Sequence, residues 1–191
     1  MDTLDLGPAA ATMRRLVLAT TDDQLTLPTP CPDYTVGDLV EHVGGLTIAF
    51  TGAAHRQPVP GADGGGAGDA SQLEEGWRDR IVRDLEVLVE AWLNPAAYDG
   101  MTAAGGVDLP GAVAAQVVLN ELVVHGWDLA RATDRRCDPD PASVAACREF
   151  VAGFEVPPGA GDGPFGPPVT PPDDATDLER LVALTGRDPR A

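Results

Sequence analysis

Apolar residues recur along this chain at intervals of three and four, between stretches rich in proline, glycine and aspartate. That period marks amphipathic helices. Met13, Leu16, Val17 and Thr20 fall at helical spacing and predict a first helix over about 7–22. The run Leu27-Pro28-Thr29-Pro30-Cys31-Pro32 then forbids regular structure, because three prolines fix φ and remove amide donors. A second helix is expected from Thr35 to about residue 54, with the Thr35 hydroxyl as cap and Asp38 in an acidic first turn. Its stripe is Val36, Leu39, Val40, Val43, Leu46 and Phe50. Leu73, Trp77, Ile81, Leu85, Leu88 and Trp92 predict a third helix over 71–94, stopped by Pro95. Val113, Val117, Val118, Leu122, Val124 and Leu129 predict a fourth over about 111–133. A shorter fifth helix over 141–154 and a last helical turn near 177–185 complete the set. Residues 55–70, 96–110 and the Pro/Gly-rich tail at 157–172 read as irregular. No strand-period alternation of useful length and no internal repeat is present. The expectation is one all-α domain over 1–191, a helical bundle with an extra short helix and an irregular C-terminal tail.

Composition narrows the function classes. The 191 residues are 43% hydrophobic, enough for a real core, yet no apolar run approaches the roughly 18–20 residues of a membrane span. The N-terminus Met1-Asp2-Thr3-Leu4-Asp5 is acidic, which argues against a secretory or mitochondrial presequence and leads to a cytoplasmic expectation. Formal net charge is −17, and all 13 basic residues are arginine. Schiff-base and P-loop lysines are therefore excluded, and nucleic acid and anionic membranes are poor partners for so acidic a chain. Cys31, Cys137 and Cys147 show no paired spacing, so neither a disulfide framework nor a zinc knuckle is expected. Cys31, between Pro30 and Pro32 ahead of a helix, is read as inert packing in preference to an activated thiol.

The chemistry gathers in two helices. Glu121 and His125 are four residues apart, about 40° around a helix axis, and Asp128 follows three residues later on the same face. Val117, Val118, Leu122 and Leu129 flank them, so the polar pair sits in or beside a core-facing stripe. His42 is likewise flanked by Leu39 and Leu46. Buried ionisable groups without partners cost roughly several kcal/mol, and a shared cation would satisfy all three at once. His42, Glu121 and His125 thus form a candidate His-Glu-His set for one divalent metal with an open position. The Glu-x-x-x-His pair alone is equally the pattern of a surface pair or a hydrogen-bonded core pair. Asp128 either orients a ligand histidine through its other ring nitrogen, which makes it the candidate catalytic residue, or caps a neighbouring loop. Trp127 is expected to pack and His55 to face solvent. Arg131, Arg135 and Arg136 are expected to serve the helix C-terminus, with anchoring of a substrate carboxylate as the lesser alternative.

The segments from Thr29 to Val43, from Glu121 to Thr133, Phe165-Gly166-Pro167-Pro168-Val169 and Gly186-Arg187-Asp188-Pro189 carry a family resemblance. The chain resembles the DinB-like metal-binding superfamily, in the actinobacterial branch related to the N-terminal domain of mycothiol-dependent maleylpyruvate isomerase. The resemblance implies a four-helix core with up-down-down-up connectivity. It also implies a divalent metal, zinc first and nickel second, on His42, Glu121 and His125. It implies a mycothiol-like low-molecular-weight thiol as co-substrate, with thiol transfer or isomerisation as the reaction. A lyase, isomerase or cyclase using the metal as Lewis acid, and a non-catalytic metal- or ligand-binding module, are the alternatives; a homodimer is the one protein partner considered. Tyr34 stands where the family pattern often has tryptophan. The chain ends after the bundle, so the isomerase's additional C-terminal domain, and with it maleylpyruvate isomerisation itself, is not expected.

Overall fold

The computed structural model describes residues 3–57, 59, 68–154 and 165–190. Four long helices make the body: α1 (Gly7–Ala19), α2 (Val36–His55), α3 (Trp77–Trp92) and α4 (Gly111–Ala132). Two shorter helices, α5 (Pro141–Ala152) and α6 (Asp177–Leu184), follow. Both α1 and α2 pack on α3 and on α4, which sets the order α1–α3–α2–α4 around the bundle. The all-α bundle expected from the apolar periodicity is therefore the architecture present. Among the described residues no helix is long and apolar enough to cross a membrane.

Each long helix buries most of the stripe its sequence predicts, with Leu46, Val113 and Val117 half-buried and Leu73 ahead of α3. Met13, Leu16 and Val17 of α1, Leu39, Val40 and Val43 of α2, and Ile81 and Leu88 of α3 are fully buried. Fully burying such a side chain contributes about 1.5–3 kcal/mol. The start of α2 follows the sequence closely: the Thr35 hydroxyl accepts from the Asp38 amide, and the Asp38 carboxylate accepts from the Thr35 amide at 2.9 Å. This reciprocal cap satisfies two amides that the helix cannot. α4 is buried over almost its whole circumference from Val118 to Ala130, because α5 covers the face that α1 and α2 leave open. Trp127, two residues on from His125, is buried.

Two elements depart from the expected pattern. The third helix begins at Trp77 and not near 71. Gly76 adopts φ +79, a left-handed conformation that ends any helix running in from before it. Residues 70–72 instead form one 3₁₀ turn, held to α2 by the Ala70 amide on Asp38 at 2.8 Å and the Asp69 amide on Glu41 at 3.1 Å. Gly68 lies directly against α2: a Cβ there would meet the Asp38 carbonyl oxygen at 1.9 Å and the His42 Cβ at 3.0 Å.

The second departure lies in 96–110, expected to be irregular. Residues Pro95–Tyr98 make a 3₁₀ turn, and β1 (Met101–Ala104) pairs antiparallel with β2 (Val107–Pro110). Gly105 and Gly106 both carry positive φ, at 57° and 76°, as a two-residue hairpin turn of matching twist requires. The Thr102 hydroxyl donates to the Ala53 carbonyl at 2.6 Å and ties the hairpin to the end of α2. Of the irregular stretch at 55–70, residues 58 and 60–67 lie outside the described residues, as does the first part of the tail within 155–164.

Candidate metal centre

α2 and α4 bring His42, Glu121, His125 and Asp128 to one place. His125 Nε2 lies 3.0 Å from Glu121 Oε2, and His42 Nε2 lies 3.5 Å from the same oxygen. One ligand atom from each of the three lies within 4.8 Å of the others. The imidazole rings are nearly perpendicular, with centroids 5.2 Å apart, so both can aim a lone pair at one point without stacking. Two ligands of a tetrahedral zinc, each at about 2.0–2.1 Å, stand roughly 3.3 Å apart, and the nitrogen–oxygen separations here bracket that value. The donor set fits a small divalent cation.

Exposure is graded across the cluster. The Asp128 side chain is 0% exposed and that of His125 8%, while His42 and Glu121 keep 15% and 23%. The centre is sealed on the Asp128 side and open on the side of Glu121 and His42. Burial alone would lower the pKa of His125, but the Glu121 charge and hydrogen bonds to Asp128 and Glu121 raise it to about 9 in the metal-free protein. Burial would raise Glu121, yet the His125 charge and hydrogen bonds from both histidines hold it well below the usual carboxylate range. A cation at this point would take the place of the proton that His125 otherwise carries.

Behind the cluster stands a residue to which sequence reasoning assigns no role. Asp128 Oδ2 accepts from His125 Nδ1 at 3.0 Å, which orients the ring with Nε2 turned toward Glu121. Arg187, beyond the C-terminal end of α6, closes on the same carboxylate as a fork: Nε to Oδ1 at 2.8 Å and Nη2 to Oδ2 at 2.8 Å. Its Nη1 donates to the Thr185 carbonyl and hydroxyl, each at 3.2 Å. Burial opposes ionisation of Asp128, and the bonds from His125 and Arg187 overcome it, so its pKa is lowered. The available signal for Arg187 is the tail segment Gly186-Arg187-Asp188-Pro189 itself, whose arginine lies 59 residues beyond its partner.

The remaining candidates disperse. His55 is exposed on the last turn of α2. Arg135 donates to the Ala19 carbonyl at the end of α1 and to Thr133 just beyond α4 at 3.0 Å, so it caps helix ends. Arg136 pairs with Asp138 at 2.7 Å, and the Arg131 guanidinium lies 6.0 Å from the centroid of Trp127, which is buried packing. Cys31 lies near the cluster; burial pushes its thiol pKa up, partly offset by the Arg187 charge. Tyr34, from the same turn, stands beside both imidazoles, at ring-centroid distances of 5.2 Å from His42 and 6.3 Å from His125. Burial raises its hydroxyl pKa above the ordinary value.

Fold and site together define a helical-bundle protein with a candidate mononuclear metal centre between its second and fourth helices. The chain belongs to the family of the mycothiol maleylpyruvate isomerase N-terminal domain, whose model matches residues 6–130. Two Mycobacterium tuberculosis proteins, each named only as an uncharacterized protein, are 30% identical to it over 178 residues, covering 86% of either chain. Among solved structures it is similar to the mycothiol-dependent maleylpyruvate isomerase, with TM-score 0.58 and 16% identity, over 78% of this chain. A mutant of that isomerase gives TM-score 0.56 and 15% identity. At these identities the likeness speaks to the fold, and this chain spans 66% of the isomerase's length.

Proposed function

We propose that this chain is a cytoplasmic metal-dependent enzyme of a single helical domain that activates a small-molecule thiol of the mycothiol type. The observation that carries the reading is the convergence of His42 Nε2, His125 Nε2 and Glu121 Oε2, with His125 oriented from behind by Asp128. The family's printed description, which names mycothiol, supports the thiol as the small molecule. His42, Glu121 and His125 hold the cation, zinc or nickel, and Asp128 is the orienting residue behind it. The cation supplies Lewis acidity, which lets a thiol give up its proton at neutral pH.

The protein's own groups do the rest. Glu121 brings the negative charge that draws a dication into a pocket with two neutral imidazoles. Asp128, held by Arg187, keeps the His125 ring from turning. The sealed Asp128 side confines a thiol to the approach past Glu121 and His42, where the side chains keep residual exposure. Thiol transfer and isomerisation through a thiol adduct are the two reactions such a centre serves.

Metal content by elemental analysis tests the centre. One equivalent is expected in the wild type and well under half in His125→Ala; full retention in the variant sinks the ligand assignment. Cobalt-substituted protein tests the chemistry: a mycothiol-type thiol should add a sulfur-to-cobalt charge-transfer band. A spectrum unmoved by millimolar thiol leaves a metal centre without thiol chemistry and rejects the activity.

A further inference from the structure

The turn before α2 is unusually well tied down. The Thr29 hydroxyl donates to the Tyr34 carbonyl at 2.8 Å and to the Cys31 carbonyl at 2.9 Å. The Tyr34 amide donates to the Cys31 carbonyl at 3.0 Å, and Pro28 bridges to Thr35 across the base. With Pro30 and Pro32 fixing φ inside it, this turn loses little further freedom when it presents a side chain. What it presents is Tyr34, whose hydroxyl oxygen lies 3.5 Å from His42 Nδ1. Gly68 packs against the same histidine, close enough that a Cβ would stand 3.0 Å from the His42 Cβ, and its backbone amide donates to the Tyr34 hydroxyl.

The two imidazoles are thus backed unequally. His125 Nδ1 faces the carboxylate of Asp128 at 3.0 Å, whereas His42 Nδ1 faces a phenol. An imidazole that offers its Nε2 lone pair to a cation carries its proton on Nδ1, and that proton needs an acceptor. We propose that Tyr34 is a positioning residue of the metal centre, its hydroxyl oxygen accepting from His42 Nδ1–H and holding Nε2 toward Glu121. A neutral phenol is a weaker acceptor than a carboxylate. His42 is accordingly the more loosely held of the two imidazole ligands, and Tyr34 sets how loosely.

The proposal rests on the metal reading above, and cobalt-substituted protein separates the two. Kd is measured by chelator competition for wild type, Tyr34→Phe and Tyr34→Trp, and the paramagnetically shifted, exchangeable imidazole N–H resonances are recorded. Wild type should bind one equivalent and show two such resonances. In Tyr34→Phe the stoichiometry should hold, Kd should weaken roughly tenfold, and one resonance alone should exchange faster with solvent. Tyr34→Trp should not rescue either readout, because an indole N–H donates and cannot accept. Unchanged Kd and exchange in Tyr34→Phe, or full rescue by Tyr34→Trp, would overturn the role of Tyr34 and leave the metal reading standing. Failure of the wild type to bind cobalt at all overturns both.

Discussion

Removing Arg187 should cost this protein more stability than removing any other arginine. Its side chain is 12% exposed and that of Asp128 is 0% exposed, so water replaces little of what is lost. The guanidinium makes two charge-assisted bonds of 2.8 Å to the carboxylate and secures Thr185 just beyond the end of α6. In Arg187→Ala, Asp128 keeps only its bond to His125 and carries a buried, half-compensated charge. Breaking one side of a buried pair typically costs about 3–5 kcal/mol. For a chain of this size each kcal/mol moves Tm by roughly 2–4 °C, so a fall of roughly 6–20 °C is expected. Arg187→Lys should fall between, since an ammonium cannot make the fork. Thermal and urea unfolding of Arg187→Ala, Asp128→Asn and the double variant measure the loss and its coupling. A single-variant loss below about 1 kcal/mol, or strictly additive losses, would refute the buried pair.

Three further outcomes follow from the same geometry. In chelated protein the pKa of His125 is raised from 6.5 to about 9, so the folded state binds the extra proton and the stabilisation is complete below pH 6.5. It is lost as pH rises toward 9; urea midpoints that climb between pH 6.5 and 9 would contradict this, whereas with saturating zinc they should climb. Gly68→Ala places a methyl group 1.9 Å from the Asp38 carbonyl oxygen and must lift residues 68–70 off α2, at a cost of about 1–3 kcal/mol. A change within about 0.5 kcal/mol in its urea denaturation would mean that this segment does not rest on the helix. Cys31, its thiol pKa pushed up by burial, should be alkylated at pH 7 more slowly than free cysteine; faster modification would mark an activated thiol.

What the sequence discloses and what it conceals divide along the range of the interactions. The cap of α2 and the apolar stripes of α2 and α4 are local, and Thr35, Asp38, Leu39 and Val43 occupy the places their spacing requires. The four-residue strands are too short to show alternation, and only the pair Gly105-Gly106 hints at a hairpin. The start of α3 is hidden because Asp38 and Glu41, about 30 residues earlier, claim the amides of residues 69 and 70. The cluster itself divides the same way. Glu121, His125 and Asp128 are legible as one face of a helix, and His42 as a polar interruption of a stripe. Arg187 and Tyr34 touch that cluster through tertiary packing alone, and no periodicity can announce them.

Charge balance explains why such a centre should favour an anion at its open position. Glu121 and Asp128 contribute two negative charges and Arg187 one positive charge. In the metal-free protein a protonated His125 brings this set to neutrality, which is why its pKa is held near 9 against the pull of burial. Exchanging that proton for a dication would leave the set with one positive charge in a pocket closed on the Asp128 side, where the dielectric is low and uncompensated charge is costly. On the proposed thiol chemistry a thiolate would restore neutrality and a neutral thiol would not, so the field of the loaded site would favour the deprotonated form. Arg187 decides the sign: without it the loaded centre is already neutral, and an incoming anion gains far less. Arg187→Ala should therefore lower the affinity of the metal-loaded protein for a thiol while leaving its affinity for a neutral analogue of equal size nearly unchanged. Equal losses for both would show that Arg187 acts on the site through packing and not through charge.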